Sequence, residues 1–294
     1  MTKNKVLRKV ILFLANLLIP SDEMFIKINF RRHIKKKLNL KEPKSFSEKI
    51  QWIKLYEKNP LLTQYTDKVL VREHIKEVIG EEYLIPLLGV YDKAEDININ
   101  LLPDEFVIQC NHDSGSTNII NDKKQLDKKM LRFYNNRLKE NFYNYTRERH
   151  YKNITPKIMI TELLKEPNRN DIKDYKIYCF NGKPEYIEVV ANRFTNHQCS
   201  LFDVNWKKID TRWTYDFCDP EPKKPENLAE MLEIAEKLSK EFYFVRVDLY
   251  YVNGKIYFGE LTFTPASGLE AFEKEEYDLE FGSKLVLPFE RGKK

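Results

Sequence analysis

"FVRVDLYYVNGKIYFGELTFTPASG", residues 244–268, decides how this chain is read. Strand-forming residues fill two runs around Asn253-Gly254, a strong short-range signal for a hairpin. Yet Asp248 and Glu260 sit inside those runs, where a buried strand carries an acid only if something partners it. A two-residue Asn253-Gly254 turn would set the two acids on opposite faces, because they are 12 positions apart and side chains alternate. A three-residue loop, Val252-Asn253-Gly254 with the glycine left-handed, sets them on one face. The second arrangement is the expected one. It gathers Val245, Val247, Leu249, Tyr251, Tyr257, Leu261 and Phe263 into an apolar face. The other face then holds Arg246, Asp248, Glu260, Thr262 and Thr264 among Phe244, Tyr250, Ile256 and Phe258. In that register the acids are diagonal neighbours with Cβ atoms roughly 7 Å apart, near enough to share a cation. Like charges on a half-buried face raise each other's proton affinity unless a metal or an arginine joins them. Hard oxygen ligands of this kind suit magnesium, which takes one or two carboxylates plus substrate phosphates. The competing reading is an Arg246–Glu260 cross-strand pair, with Asp248 hydrogen-bonded locally.

Working outward, "SFSEKIQWIKLYEK" reads as a helix capped by Ser45 or Ser47, with Glu48 in its first turn. "DKVLVREHIKEVIG" reads as a second helix that Gly80 stops, and "YLIPLLGVY" as a strand. "EFVIQCNHDSGSTNII" is a short apolar strand running into a polar loop able to aim backbone N–H groups at an anion. Residues 123–150 are polar and helical in character. "PKIMITELL" is a buried-type strand ending in an acid, and "DYKIYCFNGKPEYIEVVANRF" is a hairpin around Asn181-Gly182. A Pro-rich loop, "CDPEPKKPENL", precedes a helix with Leu228, Met231, Leu232, Ala235 and Leu238 on one face.

The composition of the 294 residues is globular, with 42% hydrophobic and 32% charged residues. The net charge is +5, and much of the excess falls in "NFRRHIKKKLNLK", Asn29–Lys41. That run reads as a solvated helix face or as a surface for anionic lipid. No zinc-finger spacing, aromatic ribonucleoprotein motif or recognition-helix pattern accompanies it, so no nucleic-acid partner is expected. Cys110, Cys179, Cys199 and Cys218 show no C-x-x-C pairing, which points to a reducing cytoplasm and to small buried residues. The start is basic and then apolar from Val10 to Ile19, like a signal peptide, but Asn16 interrupts the run and no small-x-small cleavage site follows. The run is about half the roughly 20 residues of a spanning helix. An amphipathic helix is expected there, packed on the body or peripheral at the inner face of the membrane.

The ordered set "TDKVLVREHI", "FVIQCNHDSG", "ITELL", "DYKIYCFNGKPEYI" and "FVRVDLYYVNGKIYFGELTFTPASG" resembles the TupA-like ATP-grasp family, linked to teichuronopeptide and capsule-type polysaccharide synthesis. The resemblance spans roughly residues 25–290 and is most specific at "ELTFTPASG". It implies an α+β ATP-grasp fold, with ATP held between the antiparallel sheets of two α+β subdomains. The expected organisation is an N-terminal amphipathic and basic helical segment (1–44), a pre-ATP-grasp region (45–105), a small subdomain (106–160) and a large subdomain carrying the metal-binding hairpin (161–294). By the same resemblance ATP and Mg2+ are the cofactors, and Asp248 and Glu260 are the magnesium ligands. Thr262 stands where many relatives place an Asn ligand. Glu162, Leu163 and Leu164 resemble the hinge that meets adenine, and Lys68 and Lys176 look placed to meet phosphate. Gln109 departs from the pattern, standing where a phosphate-binding Lys is usual; it can donate a hydrogen bond but brings no charge.

Phosphoryl transfer needs charge offset around the phosphates, which Lys68 and Lys176 can supply. A carboxylate substrate needs its own cation, and Arg193 and Arg246 match one in bidentate geometry. The loop Asn111–Ser116, with Asn111, Ser114 and Gly115 as nucleotide contacts, could close as a lid; His112 in it is equally a loop hydrogen-bonder. "TPASG" contacts the acceptor or is an ordinary turn. The function expected is an ATP-dependent carboxylate–amine ligase joining an amine, such as an amino acid, to a carboxylate-bearing sugar or polysaccharide precursor such as a uronic acid. The rivals are a glycosyltransferase of such a pathway, which lacks its D-x-D here, and a catalytically degenerate ATP-grasp protein, which Gln109 favours.

Overall fold

The computed structural model describes residues 21–166, 172–193 and 195–290; the apolar run Val10–Ile19 lies outside them. Ser21 caps α1 (Asp22–Ile34), which buries Phe25, Ile26, Phe30 and Ile34. Helix α2 (Phe46–Tyr56) starts in a capping box: Ser45 Oγ accepts from Glu48 N–H, and Glu48 accepts from Ser45 N–H. Ser47 is not the cap; its N–H donates instead to Asp278 Oδ1 at 2.8 Å. Two short helices follow, α3 (Leu61–Thr66) and α4 (Val71–Val78). The chain leaves α4 at Gly80, whose φ of 115° suits glycine alone.

The first sheet contains β1 (Leu87–Tyr91), β2 (Phe106–Cys110), β3 (Asn118–Ile120) and β4 (Ile158–Glu162), in the antiparallel order β1-β4-β2-β3. Helices α5 (Lys128–Arg137) and α6 (Tyr143–Thr146) lie between β3 and β4. Phe106, Ile108, Ile120, Tyr134 and Ile160 form its core. The expected boundaries cut through this sheet: β1 falls in the 45–105 region yet pairs with β4, and β4 continues to Glu162.

The second sheet holds β5 (Asp174–Phe180), β6 (Lys183–Ala191), β7 (Gln198–Asp203) and β8 (Lys208–Ile209). After α7 (Leu228–Ser239) come β9 (Phe244–Val252), β10 (Lys255–Thr262) and finally α8 (Glu275–Lys284). The order is β10-β9-β5-β6-β7-β8, antiparallel throughout. Asn181 and Gly182, at φ 49° and 82°, make the expected two-residue turn between β5 and β6. One face of the sheet is apolar: Ile177, Ile187, Val245, Val247 and Leu249 pack under Met231, Ile234, Ala235 and Leu238 of α7. Each such side chain contributes about 1.5–3 kcal/mol on burial, so this face fixes the register of every strand.

The hairpin β9–β10 reaches the expected result by another route. Its turn is two residues long, Asn253 at φ 52° and Gly254 at 77°, with Val252 opposite Lys255. A bulge between Phe258 and Glu260 then adds Gly259 to β10, so that Glu260 stands directly opposite Asp248 rather than on its diagonal. The bulge also re-sorts the faces: Ile256 and Phe258 enter the core, while Tyr257 pairs with Tyr250 on the other side. Glycine fits the bulge because a Cβ at 259 would lie 3.0 Å from the Asp248 carbonyl oxygen.

Candidate active site

Cross-strand pairing lays three rows of side chains on the sheet face away from α7. The central row is Glu188 on β6, Lys176 on β5, Asp248 on β9 and Glu260 on β10. Beside it run Tyr186, Tyr178, Arg246 and Thr262, and on the far side Val190, Asp174, Tyr250 and Tyr257. Alternation alone therefore brings Lys176, Arg246, Asp248, Glu260 and Thr262 together.

Asp248 is 2% exposed and is held from both sides. Arg246 reaches it as a fork, Nε to Oδ1 and Nη2 to Oδ2, both at 2.7 Å, and Lys176 Nζ lies 2.6 Å from Oδ2. Lys176 also touches Asp174 at 2.8 Å, and Arg193, half exposed, pairs with the same Asp174 oxygen at 3.2 Å. Glu260 opens further towards the cleft. Lys68 Nζ stands 3.4 Å from it, Arg246 Nη2 3.7 Å, and the Thr262 hydroxyl donates to it at 3.2 Å. Burial works to raise the Glu260 carboxyl, but Lys68, Arg246, Lys176 and Arg193 outweigh it and bring the carboxyl down to about 2. At Asp248 burial, helped by the Asp174 charge, prevails over Arg246 and Lys176 and raises the carboxyl. Arg246 thus joins the two hairpin acids, of which Glu260 opens to the cleft.

Among the described residues no three His, Cys, Asp or Glu gather as a metal cluster. Two facing carboxylates, one of them open to the cleft, still fit magnesium, which draws its other ligands from phosphates and water. Thr262 fits less well, since its hydroxyl already accepts from Arg246 at 3.2 Å while donating to Glu260.

The other sequence candidates fall into two groups. Lys68 links the lobes: its Nζ donates to the Asp113 carbonyl at 3.0 Å and faces Glu260. The loop it touches is anchored rather than free as a lid. Asn111 is fully buried and binds Asp67, Thr155 and the Lys157 N–H; Asp113 is locked to Arg137 and Ser116. His112, also buried, has its Nε2 3.2 Å from the Arg137 carbonyl, a loop hydrogen-bonder's place. Ser114 and Gly115 remain exposed at the tip, Gly115 with φ 88° and open space where a Cβ would lie. The second group lies on the small sheet. Gln109 accepts from the Thr117 hydroxyl, and Glu162 ends β4 exposed, followed by half-buried Leu163 and Leu164.

A cavity of about 430 Å³ continues from Arg246, Glu260 and Thr262 past Lys176 and Glu188 to Trp213. One wall is the turn Thr264–Gly268, where Ala266, Ser267 and Gly268 take φ of 47°, 58° and 63°. Two consecutive non-glycine residues in the left-handed region are strained and need external support. Helix α2 supplies it: Gln51 Nε2 donates to the carbonyls of Ser267 and Gly268, and Lys54 Nζ to the Ser267 carbonyl and hydroxyl. "TPASG" is thus a clamped wall of the cavity, not an ordinary surface turn. Gln51 and Lys54 were invisible as site residues in the sequence, where their segment reads only as a capped helix.

Behind that wall Thr264 donates to Glu148, with the buried His150 3.4 Å away. Burial, helped by Lys54 and opposed by Glu148, holds His150 down to about 4 from 6.5. An unfolded His150 takes a proton near pH 6.5 while the folded one refuses it, so protons favour the unfolded chain between those values. The contribution is intact above pH 6.5 and lost as pH falls to 4, by about 3 kcal/mol. Urea denaturation from pH 7 to 4 is expected to show that loss in the wild type, with a smaller slope in His150→Gln; equal slopes contradict it.

An antiparallel two-lobed α+β frame, with a carboxylate-bearing hairpin on one lobe and a small antiparallel sheet on the other, is the ATP-grasp architecture. Residues 48–286, most of the chain, match the family described as TupA-like ATPgrasp, and the protein belongs to that family. No curated protein matches the chain. Among solved structures it is similar to the D-alanine–D-alanine ligase from Bacillus anthracis. In complex with ATP that enzyme shares 17% identity over 69% of this chain and 55% of its own, with a TM-score of 0.41. Another structure of it gives 17% identity, 80% and 72% coverage, and a TM-score of 0.48. Phosphoribosylamine–glycine ligase from Thermotoga maritima gives 14% identity, 70% and 50% coverage, and a TM-score of 0.42. This chain therefore spans only about half the length of two of these structures.

Proposed function

We propose that the protein is an ATP-dependent carboxylate–amine ligase acting on a surface-polysaccharide precursor, with a uronic acid or similar sugar carboxylate as acceptor and an amino acid or other amine as donor. The observation that carries the reading is the row Lys176–Asp248–Glu260, with Arg246 beside it, at the mouth of a cavity. The family membership supports ATP as cofactor, and the solved neighbours named above are ligases.

In this reading Glu162, Leu163 and Leu164 meet the adenine, and Gln109, Asn111, Ser114 and Gly115 border the phosphates, Asn111 by shaping the loop. Lys68 and Lys176 offset phosphate charge. Asp248 and Glu260, with Thr262 as support, hold magnesium, which when bound neutralises charge on the transferring phosphate. Arg246, whose Nε–Nη2 edge already holds Asp248, and Arg193, more exposed, orient the substrate carboxylate through their remaining N–H groups. A carboxylate oxygen attacks the γ-phosphorus, an O–P bond forms and ADP leaves. The amine nitrogen then attacks the acyl carbon, the C–O bond breaks, and phosphate departs as the nitrogen loses its proton. The clamped Thr264–Gly268 turn and Tyr151 wall this step off from water.

Among the described residues no helix is long and apolar enough to cross a membrane. We place the enzyme in the cytoplasm, with α1 against the inner membrane face: Met24 and Ile28 are exposed beside Lys27, Arg31 and Arg32.

Hydroxylamine tests the chemistry without knowledge of the amine, because it traps an acyl phosphate as a hydroxamate. Mg-ATP with glucuronate or galacturonate is expected to give hydroxamate and equimolar ADP. ADP release without hydroxamate for any sugar acid would contradict the acceptor class. Absence of both would favour the degenerate member that Gln109 suggests.

A further inference from the structure

The cavity has two electrical ends. At the mouth every cation has a carboxylate: Lys176 and Arg246 share Asp248, and Arg193 holds Asp174. At the far end the balance is reversed. Glu188 is 9% exposed and lines the cavity; one of its oxygens accepts from the Tyr178 hydroxyl at 2.9 Å, and it has no ion-pair partner among the described residues. Glu270 lines the same end, accepts from the Thr214 hydroxyl, and also lacks an ion-pair partner among the described residues. Burial raises the Glu270 carboxyl and the neighbouring Glu188 charge adds to the effect, outweighing the Thr214 hydroxyl and the more distant Arg246. His197, the base at this end, does not compensate them: burial and Arg193 hold it below its ordinary value.

Aromatic rings close the rest of that end. Trp213 stacks on Tyr178 with centroids 5.7 Å apart, and Tyr215 stacks on His197 at 3.6 Å. Two neighbouring carboxylates in an aromatic-walled recess are costly unless the ligand brings a cation. An ammonium satisfies them: it donates to both acids and is attracted to ring faces. A neutral hydroxyl or a thiol offers no such charge. The place is also right for a second substrate. Glu188 lies in the row of Asp248, two strands away with Lys176 between them, which sets their Cα atoms ~10 Å apart and keeps the recess within one small molecule's reach of the hairpin.

We infer that Glu188 and Glu270 form a binding site for the ammonium group of the amine substrate, and that one carboxylate of the pair takes a proton from it to free the nitrogen's lone pair for attack, so that the enzyme selects a basic amine over a hydroxyl or thiol nucleophile. The inference rests on the ligase reading and deepens it. The test is calorimetric titration of 1,3-diaminopropane into protein saturated with Mg-ATP, at constant ionic strength, for wild type, Glu188→Gln and Glu270→Gln. Mg-ATP titrations of the same three proteins show whether each is folded. The diamine is expected to bind the wild type and to bind each variant at least about tenfold more weakly, the loss of one ion pair. Equal affinity in wild type and Glu270→Gln, whose carboxylate is only half buried and easily removed, overturns the site. Mg-ATP binding without diamine binding overturns the site alone. Failure of the wild type to bind Mg-ATP overturns the ligase reading, and the site with it.

Discussion

Asp248→Asn is expected to reduce ATP turnover on the order of 10³-fold or more, with the protein still folded. The amide oxygen can take the place of Oδ2 towards Arg246 Nη2 and Lys176, now 2.7 and 2.6 Å away, while the amide nitrogen faces Arg246 Nε, another donor, and the negative charge a divalent cation requires is gone. Asp248→Ala goes further. It leaves Lys176 and Arg246 buried without their shared carboxylate, and breaking a buried pair in that way costs about 3–5 kcal/mol. The two variants therefore separate the roles by degree: Asn loses nucleotide binding and turnover with the smaller fall in midpoint, whereas Ala loses more of its stability. Activity in Asp248→Asn within tenfold of wild type would remove Asp248 from the metal site.

Arg246→Lys is expected to lose about 10²–10³-fold in kcat while the KM for ATP changes only a few-fold. The guanidinium spans both oxygens of Asp248 and reaches Thr262 at 3.2 Å with the same Nη2. A lysine ammonium has one point of charge and cannot hold the fork while also turning towards a substrate carboxylate. Because Lys176 and Lys68 remain, the nucleotide keeps its phosphate partners. Equal loss in kcat and in nucleotide affinity would mean that Arg246 serves the hairpin and not the acceptor. Measuring both constants with varied ATP settles the split.

Much of this was legible in the chain because local chemistry announced it. Asn181-Gly182 and Asn253-Gly254 marked the turns, Ser45 and Glu48 marked the start of α2, and the acids in an apolar hairpin marked the site. The facing of Asp248 and Glu260 followed from burial, since one sheet face had to meet α7. The exact pairing did not follow, because Gly259 adds a residue at a bulge that alternation alone does not reveal. Strands β7 and β8 were missed: β8 is two residues long, and neither is bounded by a strong turn signal. Gln51, Lys54, Glu148 and Glu188 were missed for a different reason. Their partners are far away in sequence, as with Lys54 and Ser267, and nothing local distinguishes a clamp from a solvated side chain. Asn111 read as a ligand contact for the opposite reason, a polar loop residue that the fold buries as a brace.

The central claim is that the hairpin acids hold a magnesium–nucleotide. The measurement that tests it most directly is the thermal midpoint of the purified protein with Mg-ATP, and separately with UDP- or dTDP-sugars, for wild type and Asp248→Asn. A ligand that binds only the folded chain raises the midpoint by mass action. The account predicts a rise of several degrees with Mg-ATP in the wild type, none in Asp248→Asn, and none with the nucleotide sugars. A rise with nucleotide sugars and not with Mg-ATP, or a Mg-ATP rise undiminished in the variant, would contradict it.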